Sequence, residues 1–326
     1  MYKIAIVGAG QLGSRHLQAL TLLDGDAEIQ VFDPNALSRE TAAKRFEEVA
    51  GRNPGVTASF HASLSDMAGD CDMAIVATNA DVRRHAVEQL LAQGSVKNLI
   101  LEKVLFQKLE DYDDVGSLLQ KNGAKAWVNC PRREWPFYSS LKKRLVGKKI
   151  YEVNVGGSSW GLGCNAIHLI DLIAFLSEET AYTLSAEFLD DQITASKRTG
   201  FIEFTGMLNG RFVNGPCFSI ASYAEGQIPD AIEITGDGFR LLITEADKKM
   251  MFASAEEQWL WKEELFDVPY QSNLTNRVVE RILKTGVCDL PTFHESTLLH
   301  KPVISGLLAH LQKIEHKGSP DLCPIT

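Results

Sequence analysis

Cysteine is scarce and scattered. The six residues Cys71, Cys130, Cys164, Cys217, Cys288 and Cys323 form no C-x-x-C pair in a chain of 326. That excludes a disulfide scaffold and leads us to expect reduced thiols and a cytoplasmic location. Basic charge is short as well: 33 Lys and Arg stand against 42 Asp and Glu, a net charge of -9. Without a Lys/Arg stripe the chain lacks the footprint of a duplex nucleic-acid binder. No apolar run approaches the roughly 18 residues that span a bilayer, and because Tyr2–Val7 reads as a strand no signal peptide is expected. Nucleic acid and membrane are therefore not expected partners. Repeats and low-complexity tracts are also missing. What remains is a chain that is 45% hydrophobic, with apolar mass for a core and length for two domains.

The first 130 residues alternate between two periods. Short apolar runs at 2–7, 28–32, 56–60, 72–77, 96–101 and 125–129 read as strands. Segments at 11–23, 36–50, 81–93 and 109–120 carry apolar residues at helical spacing, and Gly51 and Gly94 stand just past two of them as stops. Six strands alternating with helices predict a doubly wound parallel sheet, residues 1–129. The pattern changes after Cys130. A long alternating strand at 150–160 and a helix at 163–176 precede strand-like runs at 181–189, 201–208, 211–217, 231–235, 239–243 and 250–253. Asn209-Gly210 and Asp237-Gly238 read as hairpin turns between such runs. Closing helices are expected at 274–283 and 297–314, and residues 317–326, with two prolines and a glycine, read as a loose tail. Residues 130–326 thus form an α+β domain with a large open, mainly antiparallel sheet.

Chemistry enters at Gly8-Ala9-Gly10-Gln11-Leu12-Gly13, a G-x-G-x-x-G that follows a strand and opens a helix. Gly8 permits the turn, Gly10 lets a pyrophosphate approach, and Gly13 lets helix and strand pack closely. The helix start offers unpaired N–H groups to phosphate. Asp33, at the end of the second strand, suits a ribose diol and repels a 2′-phosphate, which favours NAD over NADP. Arg39 is expected to be a solvated surface residue. At the fourth strand's end Thr78 and Asn79 can contact a nicotinamide half, or Asn79 can simply cap the next helix. At the fifth strand's end Glu102-Lys103 can serve proton transfer or form a solvated ion pair.

These residues, with His85 seven positions beyond Thr78, Glu102-Lys103, and the segment Gly161-Leu-Gly-Cys-Asn-Ala-Ile-His168-Leu-Ile-Asp171, resemble the glucose-fructose oxidoreductase / inositol dehydrogenase (Gfo/Idh/MocA) family. The resemblance implies a Rossmann domain joined to a substrate-binding and oligomerisation domain. It implies a homodimer or homotetramer formed through the second domain's sheet. It further implies hydride transfer between nicotinamide and a secondary alcohol carbon of a sugar, sugar acid or nucleotide-linked sugar. The family's Glu-Lys-Pro lysine maps onto Lys103, and its Asp-x-x-x-His element onto Cys164 and His168. Gly8, Gly10, Gln11, Leu12, Gly13, Asp33, Thr78, Asn79, His85, Glu102 and Lys103 are the implied cofactor residues; Lys103 and His168 are the implied catalytic pair.

Two departures stand out. Val104 replaces the family's proline, and cis peptides are largely a proline feature, so a different pose is expected for Lys103. Cys164 replaces an aspartate and carries no charge unless its pKa is strongly depressed. Asn165 adjoins it and can bind substrate hydroxyls instead. Both departures favour an alternative, a non-catalytic NAD-binding sensor or regulator; an epimerase or lyase with recycled NAD is another.

Spacing alone also points to the helix at 163–176, because Cys164, His168 and Asp171 share a face at i, i+4 and i+7. His168 can equally be a core histidine bonded to Asp171. Cys164 and His168 have no third and fourth ligand, so no metal is expected. Arg132 or Arg133 can fork onto a substrate anion or pair with an acid such as Glu134. Of these, Arg133, with Trp160, Asn165 and His168, completes the expected substrate set; Trp160 stacks on a sugar ring or packs in the core.

Overall fold

The computed structural model describes all 326 residues and divides into two compact units. One gathers Met1–Phe106, Glu110–Glu134 and Pro269–His294; the other gathers Gln107–Leu109, Trp135–Val268 and Glu295–Thr326.

In the first unit the elements follow as β1 (Tyr2–Val7), α1 (Gln11–Leu20), β2 (Ala27–Phe32), α2 (Ala36–Glu47), β3 (Val56–His61), β4 (Met73–Val76), α3 (Ala80–Gln93), β5 (Asn98–Leu101), α4 (Leu109–Lys121) and β6 (Lys125–Val128). The strands form one sheet in the order β3-β2-β1-β4-β5-β6, every pair parallel. Ile4 to Val7 and Met73 to Val76 are buried residue after residue. Both faces of the central strands are thus covered, which is why they read as unbroken apolar runs. Asn35 caps α2 by accepting the Ser38 N–H at 3.2 Å.

The second unit runs α5 (Pro136–Arg144), β7 (Ile150–Ser158), α6 (Leu162–Ser177), β8 (Tyr182–Leu189), β9 (Thr194–Ala195), β10 (Ile202–Glu203), β11 (Gly206–Phe212), β12 (Cys217–Tyr223), β13 (Ala231–Gly236), β14 (Phe239–Thr244), β15 (Lys249–Ser254) and β16 (Lys262–Leu265). Two helices close the chain, α7 (Thr275–Thr285) in the first unit and α8 (Phe293–Lys313), most of it in the second. Eight strands form a sheet in the order β16-β15-β14-β13-β7-β12-β11-β8. It is antiparallel except for β7 beside β12. Val153, Val155, Ile232, Ile234, Leu241 and Ile243 are buried, whereas their neighbours Asn154, Glu233 and Leu242 are partly or fully exposed. One face is packed and the other open, as period-2 patterning requires.

The structure departs from the sequence reading in several places. Pro269–His294 returns to the first unit, so the second domain is not the continuous stretch 130–326. The reason is α7, whose Val278, Val279 and Ile282 are buried and whose Thr275 meets His16 of α1 at 2.8 Å. Asn209-Gly210 is not a hairpin turn. It lies inside β11, and the chain reverses at residues 213–216, since Arg211 pairs with Cys217. A Cβ on Gly210 would sit 2.2 Å from the Thr183 carbonyl, so this glycine serves close strand approach rather than turning. By contrast Asp237-Gly238 does join β13 to β14. Helix α5, whose first residue is proline, went unread.

Nor is the C-terminal stretch loose. Cys323 and Ile325 are fully buried. The Ile202 N–H donates to the Pro324 carbonyl at 2.9 Å, and the Gln107 amide donates to the Ile325 carbonyl at 3.0 Å. Ile325→Ala should therefore lower unfolding free energy by about 2–5 kcal/mol, read by urea denaturation. A surface-like change under about 0.5 kcal/mol would show the segment to be peripheral.

Candidate functional site

At the carboxyl ends of β1, β2 and β4 lies a groove of about 520 Å³ lined by Gly8, Gly10, Asp33, Thr78, Asn79 and His85, among others. Its floor depends on three glycines used differently. Gly8 has φ +94, open to glycine at little cost. A Cβ on Gly13 would lie 1.8 Å from the Gly8 carbonyl oxygen, so α1 sits against the turn only because Gly13 has none. A Cβ on Gly10 would meet nothing within 4 Å, which leaves the start of α1 open, and no side chain caps that start. The exposed amides and dipole of a helix N-terminus suit phosphate.

Asp33 holds this turn in place. One carboxylate oxygen accepts the Ala9 N–H at 2.7 Å and the other the Asn35 N–H at 2.8 Å. Arg39, expected in solvent, is instead half-buried and donates to the Asp33 carbonyl at 2.6 Å; α2 starts so close to the strand end that its first turns fold back onto it. Thr78 Oγ1 is buried on the groove wall without a hydrogen-bond partner. Asn79 stands at the start of α3 but makes no capping bond, and His85 is exposed on the rim. An open glycine, an unsatisfied hydroxyl and a carboxylate at the second strand's end fit a dinucleotide.

The other expected cofactor residues lie elsewhere. Gln11 is exposed and its amide oxygen accepts from Arg45 at 2.9 Å; Leu12 does not line the groove. Glu102 does not line it either, because its carboxylate turns into the core. Glu102 Oε1 accepts from His16 Nε2 at 2.9 Å and from the Asn129 amide at 2.6 Å. Asn129 also donates to Gln271 at 3.2 Å, Gln271 to Thr275 Oγ1 at 2.8 Å, and Thr275 Oγ1 lies 2.8 Å from His16 Nδ1, closing a ring. Burial alone would raise the Glu102 pKa, yet the His16 ring, the Asn129 amide and the nearby Arg83 hold it below its ordinary value. Lys103 follows directly and is half-buried; its peptide to Val104 is cis although no proline is present.

Sequence reasoning passed over His16 and Arg83. Arg83 is buried and donates to the carbonyls of Thr78, Val104 and Leu105, bracing two strand ends at once. The only signal was a charged residue on the inward face of a helix, ordinarily an unfavourable place.

In the second unit, Cys164, Asn165 and His168 are half-buried on α6. The Asn165 amide donates to the Trp160 carbonyl at 2.8 Å, and the Trp160 indole N–H donates to the Ala221 carbonyl at 2.9 Å. Glu203 of β10 accepts the Gly163 N–H at 2.8 Å beneath the same helix start. Arg133, in the first unit, is buried, and the neighbouring Glu134 is held by Arg281 and by the Asp289 N–H at 2.7 Å.

A network around a buried carboxylate ties stability to pH. The folded-state pKa of Glu102 is lowered, so its contribution is present above the unfolded value near 4.5 and fades as pH falls through the folded value. Glu102→Gln should cost roughly 3 kcal/mol at pH 7. The gap to wild type should shrink in melts run progressively below the ordinary carboxylate range. A gap that is constant with pH would show that charge plays no part.

Comparison with known proteins agrees with this fold. Residues 2–130 match the model of the GFO_IDH_MocA oxidoreductase family with an NAD-binding Rossmann fold. The myo-inositol dehydrogenase Hyg17 of Streptomyces leeuwenhoekii is 26% identical over 153 residues, which is 47% of this chain and 43% of that relative. The chain is thus aligned with less than half of that relative's length. An oxidoreductase of Agrobacterium radiobacter solved with NAD+, L-tartaric acid and magnesium superposes with a TM-score of 0.71 at 14% identity, covering 93% of this chain and 94% of that one. The transcriptional regulator Gal80p of Kluyveromyces lactis superposes with a TM-score of 0.71 at 16% identity, covering 96% and 93%. Over residues 2–130 the chain is thus similar to the Gfo/Idh/MocA oxidoreductases with an NAD-binding Rossmann fold.

Proposed function

We propose that the protein is an NAD-dependent oxidoreductase acting on a secondary alcohol carbon of a sugar, sugar acid or nucleotide-linked sugar. The observation that carries this reading is the groove in which an open Gly10, the Asp33 carboxylate and the unsatisfied Thr78 hydroxyl converge. In this reading the start of α1 receives the pyrophosphate. Asp33 accepts from the ribose diol with the lone pairs its backbone bonds leave, and Thr78, Asn79 and His85 hold the remainder. Bound NAD supplies the hydride acceptor, carbon C4 of its nicotinamide. Lys103 or His168 accepts the hydroxyl proton as hydride leaves the alcohol carbon, and Asn165, Trp160 and Arg133 orient the substrate. The open face of the second sheet supports assembly into a homodimer or homotetramer. Light scattering that gives a 36 kDa particle would refute it.

The acidic Asp33 implies that NADH binds at least about tenfold more tightly than NADPH, measured by fluorescence titration. Equal or tighter NADPH binding would remove Asp33 from the ribose. NADH formation at 340 nm should be screened with myo-inositol, D-glucose, D-gluconate, L-tartrate and UDP-N-acetylglucosamine. On whichever turns over, Lys103→Met should lower kcat about 100-fold or more while leaving NADH affinity and the melting temperature near wild type. Activity that survives would shift the proton to His168.

A second reading is favoured by Cys164, where relatives carry an acid, and by the likeness to a transcriptional regulator. A wild type that binds NADH yet leaves every compound untouched would make it a sensor.

A further inference from the structure

We infer that Arg45 sets the affinity of the groove for a diphosphate, as a positive charge held beside the first turn of α1. The assignment rests on the dinucleotide reading above. The groove itself is poorly supplied with cations. The residues that line it include no Lys or Arg, and their one carboxylate is Asp33. A diphosphate would thus settle near an acid, with the start of α1 to balance it, in a chain of net charge -9. Two other arginines of α1 and α2 are directed elsewhere. Arg39 is engaged by the Asp33 carbonyl, and Arg15 turns along α1 to donate to Gln18 at 2.7 Å.

Arg45 differs from both. It stands in the last turn of α2, where a cation ordinarily balances the negative end of its own helix. Its side chain, half-buried, reaches instead to the first turn of α1. One terminal guanidinium nitrogen donates to Ser14 Oγ at 2.5 Å and the other to Gln11 Oε1 at 2.9 Å. Both partners are neutral, and Arg45 forms no ion pair; the acids beside it on α2, Glu47 and Glu48, pair with Arg52 and Lys44. A positive charge at the positive end of a helix, with nothing to neutralise it, is an unfavourable placement. An arriving anion reverses that balance. The contact also reaches the peptide that would meet phosphate. Ser14 is fully buried; its hydroxyl accepts from Arg45 and donates to the Gly10 carbonyl at 2.8 Å. That carbonyl shares a peptide unit with the Gln11 N–H, one of the orphan amides of the helix start, and donation to the carbonyl polarises that N–H. Arg45 does not line the groove. It acts on a bound diphosphate by its field and through Ser14.

The test is fluorescence titration of the full chain with NADH at low and high salt, on wild type, Arg45→Gln, Arg45→Lys and Arg15→Gln, with melting temperatures taken without ligand. Arg45→Gln should weaken NADH binding roughly tenfold at low salt. The gap to wild type should narrow at high salt, as a charge effect requires. Lysine keeps the charge, so Arg45→Lys should retain most of the affinity. Arg15→Gln removes the same charge from a side chain that turns away, and its NADH affinity should stay within about twofold of wild type. Without ligand, Arg45→Gln should melt at or above the wild-type temperature, since it removes a charge that nothing neutralises. A lower melting temperature, with a loss of NADH affinity that salt does not change, would make Arg45 a brace between α1 and α2 and overturn the assignment. An affinity unchanged in Arg45→Gln, or lowered equally in Arg15→Gln, overturns it too. A wild type that binds neither NADH nor NADPH defeats the dinucleotide reading first, and this assignment with it.

Discussion

The first unit is organised around a carboxylate that water does not reach. Glu102 ends β5 in the core, 3% exposed, and an uncompensated charge there would be strongly destabilising. The compensation is a ring of side chains from three other parts of the chain: His16 on α1, Asn129 after β6, and Gln271 and Thr275 just before and at the start of α7. Because these partners are 86, 27 and more residues away in sequence, the ring fixes tertiary arrangement rather than local structure. It explains why Pro269–His294 rejoins the first unit after the chain has built the second. It also sets the frame in which Lys103 is held, since the residue before it cannot rotate without breaking two hydrogen bonds.

The groove depends on a different constraint, the absence of atoms. Gly13 lets α1 touch the Gly8 carbonyl, and this contact aims the start of α1 at the strand ends. Asp33 then joins the glycine turn to the β2–α2 turn through two backbone amides. Its carboxylate thus has a structural task beside any task toward a ribose. Residues of this kind blur the distinction between holding a site and being one, because the geometry that receives the ligand is made by the same atoms.

Much of this was legible in sequence. The parallel sheet could be read because its buried strands are continuous apolar runs separated by amphipathic helices, and the glycine motif because Gly8 and Gly13 answer demands of the backbone while Gly10 leaves the start of α1 open. Asp237-Gly238 was read correctly and Asn209-Gly210 was not, although the two dipeptides look alike. The difference lies in the Thr183 carbonyl and the Phe218 ring, which crowd Gly210 from neighbouring strands and are invisible locally. The C-terminal stretch misled in the same way: proline and glycine signal irregular backbone, and irregular backbone can still be buried if its carbonyls find donors, as Pro324 and Ile325 do. Glu102 was singled out for its neighbour Lys103. Its actual role required knowing that His16 would be opposite.

The limits of local reading are sharpest at α6. A helix apolar nearly all round is a buried helix, and α6 buries Leu162, Ala166, Ile167, Ile170 and Ile173 among others. Its half-buried polar residues Cys164, Asn165 and His168 fall within the first two turns. Chemistry on this helix is therefore governed by its beginning, where the backbone amides and dipole carry partial positive charge. The residue that balances that charge is not on the helix and follows no spacing rule. Glu203 arrives from a two-residue strand 40 positions beyond Gly163. From sequence, Cys164 looks like the loss of an acid; in three dimensions a carboxylate stands beside the thiol. An element that lacks a charge in its own sequence can still work in the field of one, provided the fold brings a carboxylate to its first turn, as the Glu203 bond to the Gly163 N–H does here.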